Sequence, residues 1–202
     1  MGKNENDVRF EGRIAGVGTD SGTRIVVGMW ERSPFGRFTD VMIELDAGHR
    51  LLLAPNQEVA DYVSSTYSFD EVRIEPVRVA RIEGGIGVTA ESLQLELTIG
   101  GISSLGRVLR VVPDAFATSP NWLRLIDPLA RVLVPGARTA GSAGAGRREF
   151  YGVTLARRIR GIVATLDGVD LGGIQQLWPP VTFGFGSAPS KPQLVDVVTT
   201  IR

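Results

Sequence analysis

Hydrophobic and polar residues alternate along much of this chain with a period of two, which places successive side chains on opposite faces of a β-strand. The clearest example is the segment LQLELTI at 93–99, in which every second residue is apolar. Further segments rich in β-branched and apolar residues lie at 8–18, 23–30, 38–45, 49–53, 70–75, 107–112, 148–155, 157–166, 181–186 and 193–201. Together they predict about ten strands, with 107–112 read either as a strand or as the start of a connector.

Short turns join most of these segments, at 21–22, 46–48, 84–85 and 167–168. After the third of these turns, the chain is expected to continue as one strand over 86–99. Because parallel strands need crossovers of a dozen or more residues, short reversals favour antiparallel pairing. The predicted fold class is therefore mainly β: an antiparallel β-barrel or a two-sheet sandwich of about ten strands, with two short helical regions.

Two segments carry the signals that begin a helix. Pro-Asn at 55–56 precedes apolar residues at helical spacing, which predicts a helix ending near Tyr67. Ser-Pro at 119–120 opens a second helical segment over 119–134 with an apolar stripe. The small residues of 138–147 are expected to form a glycine-rich loop.

The length suits one domain over 1–202. A weak similarity between RFEGRIAGVGTDSG and RRIRGIVATLDGVDLG supports an alternative organisation. In that alternative, two similar β halves, 1–112 and 138–202, are joined by a helical connector.

Composition narrows the functional classes. The chain has no cysteine and one histidine, which excludes thiolate chemistry and multi-histidine metal centres, so we predict neither a metal nor a cofactor. Basic and acidic residues number 22 each, so the net basic charge typical of nucleic-acid binding is absent and no nucleic-acid partner is expected. No apolar run reaches about 18 residues and no signal-peptide pattern is present, so a cytoplasmic location without membrane contact is expected. The basic residues are almost all arginine, which is typical of GC-rich bacterial genes.

The candidate ligand-binding residues are Arg147, Glu149 and Tyr151, which share one face if their segment is a strand. Facing inward, they would place a few polar anchors on an apolar wall, as small-molecule pockets do; facing outward, they would form a solvated Arg–Glu pair. Trp30 and Phe38 flank the first proline turn. They are expected either at the lip of a ligand cavity or in an aromatic plug that closes the end of a barrel.

His49 is the one histidine available for acid–base chemistry. Asp40 and Asp46 lie in the same predicted hairpin, and a His–Asp pair can orient an imidazole. A solvated turn histidine is the alternative, and no catalytic residue is assigned.

Three functional interpretations remain open from these patterns. The first is a soluble protein that binds a small, partly apolar ligand inside a lipocalin-like β-barrel, because alternating strands occur without a recognisable catalytic cluster. The second is a structural or interaction protein that forms a homodimer through the apolar face of 119–134. The third is a metal-independent enzyme that uses the Arg/Glu/Tyr row.

Overall fold

A computed structural model of the chain shows one curled sheet, with two helices among the residues that it describes. The structure describes residues 8–109, 140–143, 147–184 and 190–201, with backbone alone at 108, 140–143 and 147–151. In chain order the elements are β1 (Val8–Thr19), β2 (Arg24–Arg32), β3 (Phe38–Glu44), β4 (Arg50–Ala54), α1 (Gln57–Thr66), β5 (Glu71–Ile74), β6 (Arg78–Ile82), β7 (Gly85–Thr89), β8 (Leu93–Ile102), α2 (Ser104–Leu109), β9 (Ala140–Ala143), β10 (Arg147–Leu166), β11 (Val169–Asp170), β12 (Ile174–Gln175) and β13 (Gln193–Ile201).

The predicted mainly β class is confirmed, and the sheet curls into a barrel-like form rather than a two-sheet sandwich. The main path through the sheet is β5-β4-β3-β2-β1-β13-β10-β8-β7-β6, with β9, β11 and β12 paired at its sides. The two strands at the ends of this path, β5 and β6, follow each other in the chain and are joined by residues 75–77 alone. A connection of three residues keeps the two edges of the sheet close together, so the sheet must curl.

Antiparallel pairing is confirmed for every described strand pair except one. Strands β4 and β5 run parallel, with Leu51 opposite Glu71 and Ala54 opposite Ile74. Helix α1 lies between them in the chain and supplies the crossover that a parallel pair requires. The sheet is therefore mixed, which corrects the expectation of a purely antiparallel sheet.

Several element boundaries differ from the prediction. The segment 86–99 is not one strand, because a turn closed by Ala90 N donating to Leu93 O (2.8 Å) divides it into β7 and β8. The two strands predicted at 148–155 and 157–166 are one strand, β10, and part of the predicted loop 138–147 is β9, which pairs with it.

Two further segments differ as well. The chain at 104–109 is helical rather than extended, and the described part of 181–186 contains no strand. The second helix predicted at 119–134, which would also carry the homodimer surface, lies outside the described residues.

The first predicted helix is confirmed as α1. The side chain of Asn56 accepts a hydrogen bond from the backbone N–H of Val59 (2.9 Å), which satisfies one of the free donors at the helix start. The helix ends at Thr66, where the backbone N–H of Tyr67 still donates to Val63 O and the chain becomes extended. Its buried residues, Val59, Val63 and their neighbours, cover one face of the sheet.

Two apolar layers stabilise the first four strands, one on each face. The inner layer fills the curl of the sheet and includes the fully buried Ile25, Ile43 and Leu53. The outer layer takes the alternate positions of the same strands, such as Val26 and Leu52, and is covered by α1 and by the segment 177–183. Full burial of an aliphatic side chain stabilises a protein by about 1.5–3 kcal/mol, so both layers contribute to stability.

A buried ion pair holds the segment 177–183 on the outer layer. Arg24 Nη2 lies 3.2 Å from Glu44 Oε1, and both side chains are almost fully buried. The same guanidinium donates to the carbonyl of Pro179, while Glu44 accepts from the backbone N–H and hydroxyl of Thr182. Each charged group has a hydrogen-bond partner on the backbone as well as its oppositely charged partner. The pair is therefore compatible with burial.

Candidate functional site

A row of inward-facing residues crosses four neighbouring strands at one end of the curled sheet. Thr39 on β3 lies opposite Met29 on β2, Met29 lies opposite Arg13 on β1, and Arg13 lies opposite Asp196 on β13. Met29 belongs to the inner layer, and residues directly opposite each other on paired strands share a face. These four residues, together with Arg157, are called the mouth row below.

Arg13 is the unusual member of the mouth row. It is partly buried and follows the same alternation as Ala15 and Val17, which are buried in the inner layer. Within the described part of the chain its guanidinium makes no ion pair and no hydrogen bond. An arginine that faces inward without a carboxylate partner can donate up to five hydrogen bonds to an anion.

Asp196 already has a different partner. Its Oδ2 lies 3.7 Å from Arg157 Nη1, and the two side chains are 33% and 39% exposed. Arg157 is opposite Leu194, an inner-layer residue, so it faces the same interior. A partly exposed pair at this distance contributes little to stability, and its exposure shows that solvent reaches the mouth row.

Charge at this end of the sheet is predominantly positive. At the next position of β1 on the same face, nearer the rim, Glu11 is paired with Arg9 (3.0 Å) and with Arg32 (2.9 Å). Arg157 is paired with Asp196, whereas Arg13 has no ion pair among the described residues. The mouth row therefore has more arginine than carboxylate, which attracts anions.

Below the mouth row lie the buried aliphatic side chains of the inner layer. Met29 is 3% exposed and Thr39 is 9% exposed, whereas Arg157 and Asp196 are partly exposed. Solvent therefore reaches the charged members of the mouth row, which makes them the candidate ligand site in the described residues.

A buried carboxyl group lies on the outer face of the same strands. Asp40 is 3% exposed, and its Oδ1 accepts a hydrogen bond from Trp30 Nε1 (2.9 Å). Burial raises the pKa of Asp40 to about 7, although the hydrogen bond from Trp30 opposes the change. Gly28 lies opposite Asp40, and a Cβ there would be 2.5 Å from the carboxyl oxygen and 2.7 Å from the indole nitrogen. The pair therefore depends on glycine at this position.

Trp30 and Phe38 belong to an aromatic cluster between the sheet and α1. Phe10 contacts Trp30 at a centroid distance of 5.4 Å, and Phe35 contacts Tyr62 at 4.9 Å. Phe38 is 8% exposed and meets three of these rings at 6.2 to 6.4 Å. The rings contact one another directly, as in a packed aromatic layer.

Arg147, Glu149 and Tyr151 lie in the first part of β10, where only the backbone is described. Glu149 is opposite Ile201, and Tyr151 is opposite Thr199. Strand β10 is three strands away from β2 in the sheet, about 14 Å at the usual strand spacing. Their role as ligand anchors, with Trp30 and Phe38, remains a prediction.

His49 is not paired with either aspartate of its hairpin. Its Nε2 lies 3.1 Å from Glu71 Oε2, because the parallel pairing of β4 and β5 brings Glu71 beside the start of β4. Asp40 instead faces the buried outer layer. The neighbouring Arg50 donates to Asp70 from both its backbone and its side chain, which holds the pKa of that carboxyl well below its usual range. This charged surface is an ion-pair network that joins the β3–β4 turn to β5.

Other classes of site find no support in the described ranges. No group of three or more histidine, cysteine or acidic residues there could hold a metal ion. None of the helices there has the length and apolar character needed to span a bilayer.

Sequence reasoning missed the mouth row. Arg13, Arg157 and Asp196 are charged residues in the middle of strands, and each has at least one apolar neighbour in the chain. A charge in a strand whose two faces are both apolar is the signal that could have found them. Alternation shows which residues share a face of a strand. It does not show whether that face is buried in the interior or exposed to solvent.

The fold is that of a mainly β protein with a curled, barrel-like sheet. No family model matches the chain, and no curated protein matches it. Among solved structures, it is similar to a crystal structure of acetoacetate decarboxylase from Legionella pneumophila, with 9% sequence identity and a TM-score of 0.49 over 96% of this chain and 84% of that chain. The chemistry of the site is therefore inferred from this chain's own residues.

Proposed function

We propose that this protein binds a small, anionic, partly apolar molecule at the mouth of its barrel-like sheet. The observation that carries the proposal is Arg13, an inward-facing arginine without an ion-pair partner in the described part of the chain. Arg157 lies two strands away on the same interior face. Asp196 lies between them and orients Arg157.

The ligand chemistry follows from the two kinds of surface at the mouth. Arginine binds carboxylate, sulfonate or phosphate oxygens through charge-assisted hydrogen bonds, each contributing about 1.5–3 kcal/mol. Leu155 and Val198, which lie opposite Asp196 and Glu11 and are only partly buried, offer apolar contact to the rest of the molecule. A few polar groups above an apolar floor are characteristic of small-molecule sites.

Calorimetric titration with octane-1-sulfonate tests the proposal, because this probe has a short apolar tail and keeps its charge at any working pH. We expect saturable binding with one site per chain. Replacement of Arg13 with glutamine should weaken binding at least about tenfold, the loss expected for one charge-assisted hydrogen bond.

Strand β10 offers a matched pair of control variants. Arg157 and Arg158 are adjacent in the chain, but Arg158 is exposed and on the opposite face. Arg157→Gln should weaken binding of octane-1-sulfonate, whereas Arg158→Gln should leave it unchanged. Equal effects of the two changes, or no binding to the wild-type protein, would overturn the proposal.

A further inference from the structure

The buried carboxyl and the mouth row lie on opposite faces of the same strand segments. Asp40 follows Thr39 on β3, and Trp30 follows Met29 on β2. Thr39 and Met29 face the interior, whereas Asp40 and Trp30 form their hydrogen bond on the outer face. Two strand spacings, about 10 Å, separate β3 from β1, which carries Arg13.

No described charge on the outer face compensates an ionised Asp40. The elements packed around it present Gly28 and Trp30 from β2, Leu52 and Ala54 from β4, Ile14 from β1, Val59, Val63 and Tyr62 from α1, and Val181 and Phe183 from the segment 177–183. Tyr62 is the ionisable group among them. The acidic residues of α1, Glu58 and Asp61, are exposed.

The nearest charged pair on the outer face is some distance away. Arg24 and Glu44 lie near the other end of β2 and β3, and Glu44 is four residues, about 13 Å, from Asp40. An ionised Asp40 would therefore place a negative charge in an apolar layer. Its field would reach through the sheet to the mouth row with little screening.

We propose that anion binding at the mouth row is linked to protonation of Asp40, so that the protein binds its ligand more tightly when this carboxyl is neutral. This inference rests on the proposed function, because it describes how that site is regulated. A bound anion and an ionised Asp40 repel each other across the sheet, so each disfavours the other. By linkage, ligand binding then draws a proton onto Asp40.

The size of the effect follows from the separation of the two charges. The two charges lie two strand spacings apart and on opposite faces of the sheet, so their separation is about 14 Å. At that distance and an effective dielectric constant between about 20 and 40, repulsion weakens binding roughly three- to sevenfold. The pKa of Asp40, raised by burial to about 7, places the change between pH 6 and pH 8. Within that range a small pH change alters the affinity.

Titration of octane-1-sulfonate at pH 6 and pH 8.5 tests the linkage. The wild-type protein should bind roughly fivefold more tightly at pH 6, and Asp40→Asn should bind with the same affinity at both pH values. Replacement of the single histidine, His49→Gln, is the matched control, since histidine changes charge in the same pH range and this one lies on the distant ion-pair network. This variant should keep the wild-type difference.

A second measurement does not depend on the variant folding. Calorimetry of the wild-type protein at pH 7, in two buffers of different ionisation enthalpy, should show uptake of about 0.3 proton per bound probe. Binding without proton uptake, or a pH difference that persists in Asp40→Asn, would overturn the linkage and leave the binding site standing. Failure of the probe to bind at either pH would overturn both proposals.

Discussion

Replacement of Asp40 with asparagine should flatten the pH dependence of stability between about pH 4 and pH 7. Asparagine keeps an oxygen that can accept the hydrogen bond from Trp30, but it cannot ionise. The native state of the wild-type protein holds the Asp40 proton up to about pH 7, whereas the unfolded chain loses it near pH 3.8. The wild-type protein therefore loses stability as pH rises through this window, and the loss is complete above it.

The expected magnitude comes from the shift in pKa. The pKa rises from 3.8 to about 7, and each unit corresponds to 1.36 kcal/mol, so ionised Asp40 destabilises the native state by about 4 kcal/mol. Roughly 2.5 kcal/mol of this loss falls between pH 5 and pH 8. The amide of asparagine adds a buried donor, whose cost is the same at every pH and cancels in the comparison.

Urea unfolding followed by circular dichroism, at pH 5 and pH 8, measures this difference for each protein. Relative to the wild-type protein, Asp40→Asn should gain about 2.5 kcal/mol of unfolding free energy between the two pH values. Asp61→Asn, at an exposed position on α1, should show the wild-type pH dependence. Equal pH dependence in wild type and Asp40→Asn would refute the reasoning, since it would mean that this carboxyl is already ionised at pH 5.

Further changes test the packing around the site. Gly28→Ala places a methyl group against the buried carboxyl and the indole, so it should lower the free energy of unfolding by about 1–3 kcal/mol. The control is Gly87→Ala, where the added Cβ meets its nearest neighbour at 3.4 Å, and it should have little effect in the same urea experiment. Glu44→Gln leaves a buried guanidinium without its carboxylate and should cost about 3–5 kcal/mol, against less than about 1 kcal/mol for Glu31→Gln in an exposed pair. Similar losses from the two glutamate changes would contradict the assignment of the buried pair.

Much of the fold was predictable because its signals are local. The alternation in 93–99 marks β8, and the turn at 46–48 contains Gly48, whose φ of 85° suits glycine. The start of α1 was visible in Asn56, since an asparagine at a helix cap satisfies a backbone donor within its own segment. Features of this kind need no information about the rest of the chain.

The errors occurred where distant contacts decide the structure. The parallel pair β4–β5 depends on where α1 packs, which no short segment encodes. The two strands predicted on either side of Ala156 are one strand, because β13 and β8 pair with β10 along its length. Tertiary pairing of this kind overrides local preference.

The predicted anchors Arg147, Glu149 and Tyr151 lie on β10, the strand that also carries Arg157 of the mouth row, and their role as ligand anchors stays a prediction. Interest in Arg147, Glu149 and Tyr151 came from polar residues at alternate positions, and β10 does carry an inward arginine, Arg157, farther along. Arg13 gives no such signal, because its alternation with Phe10 and Ile14 is also typical of a strand whose charged face is exposed to solvent. In a sheet covered on both sides, the apolar positions mark two buried layers. Charged residues at inward-facing positions of such strands then identify where the interior opens to solvent.

This arrangement gives a physical reason for two polar features on opposite faces of one sheet. Strands β1 to β3 must be apolar on both faces, so a polar side chain on either face has an energetic cost unless it is neutral or paired. Asp40 meets this condition by holding its proton, and Arg13 would meet it by binding an anion. The two groups lie on opposite faces of the same thin sheet. The charge on one face therefore changes the free energy of placing a charge on the other face. The binding site and its dependence on pH then have a common origin in the double burial of these strands.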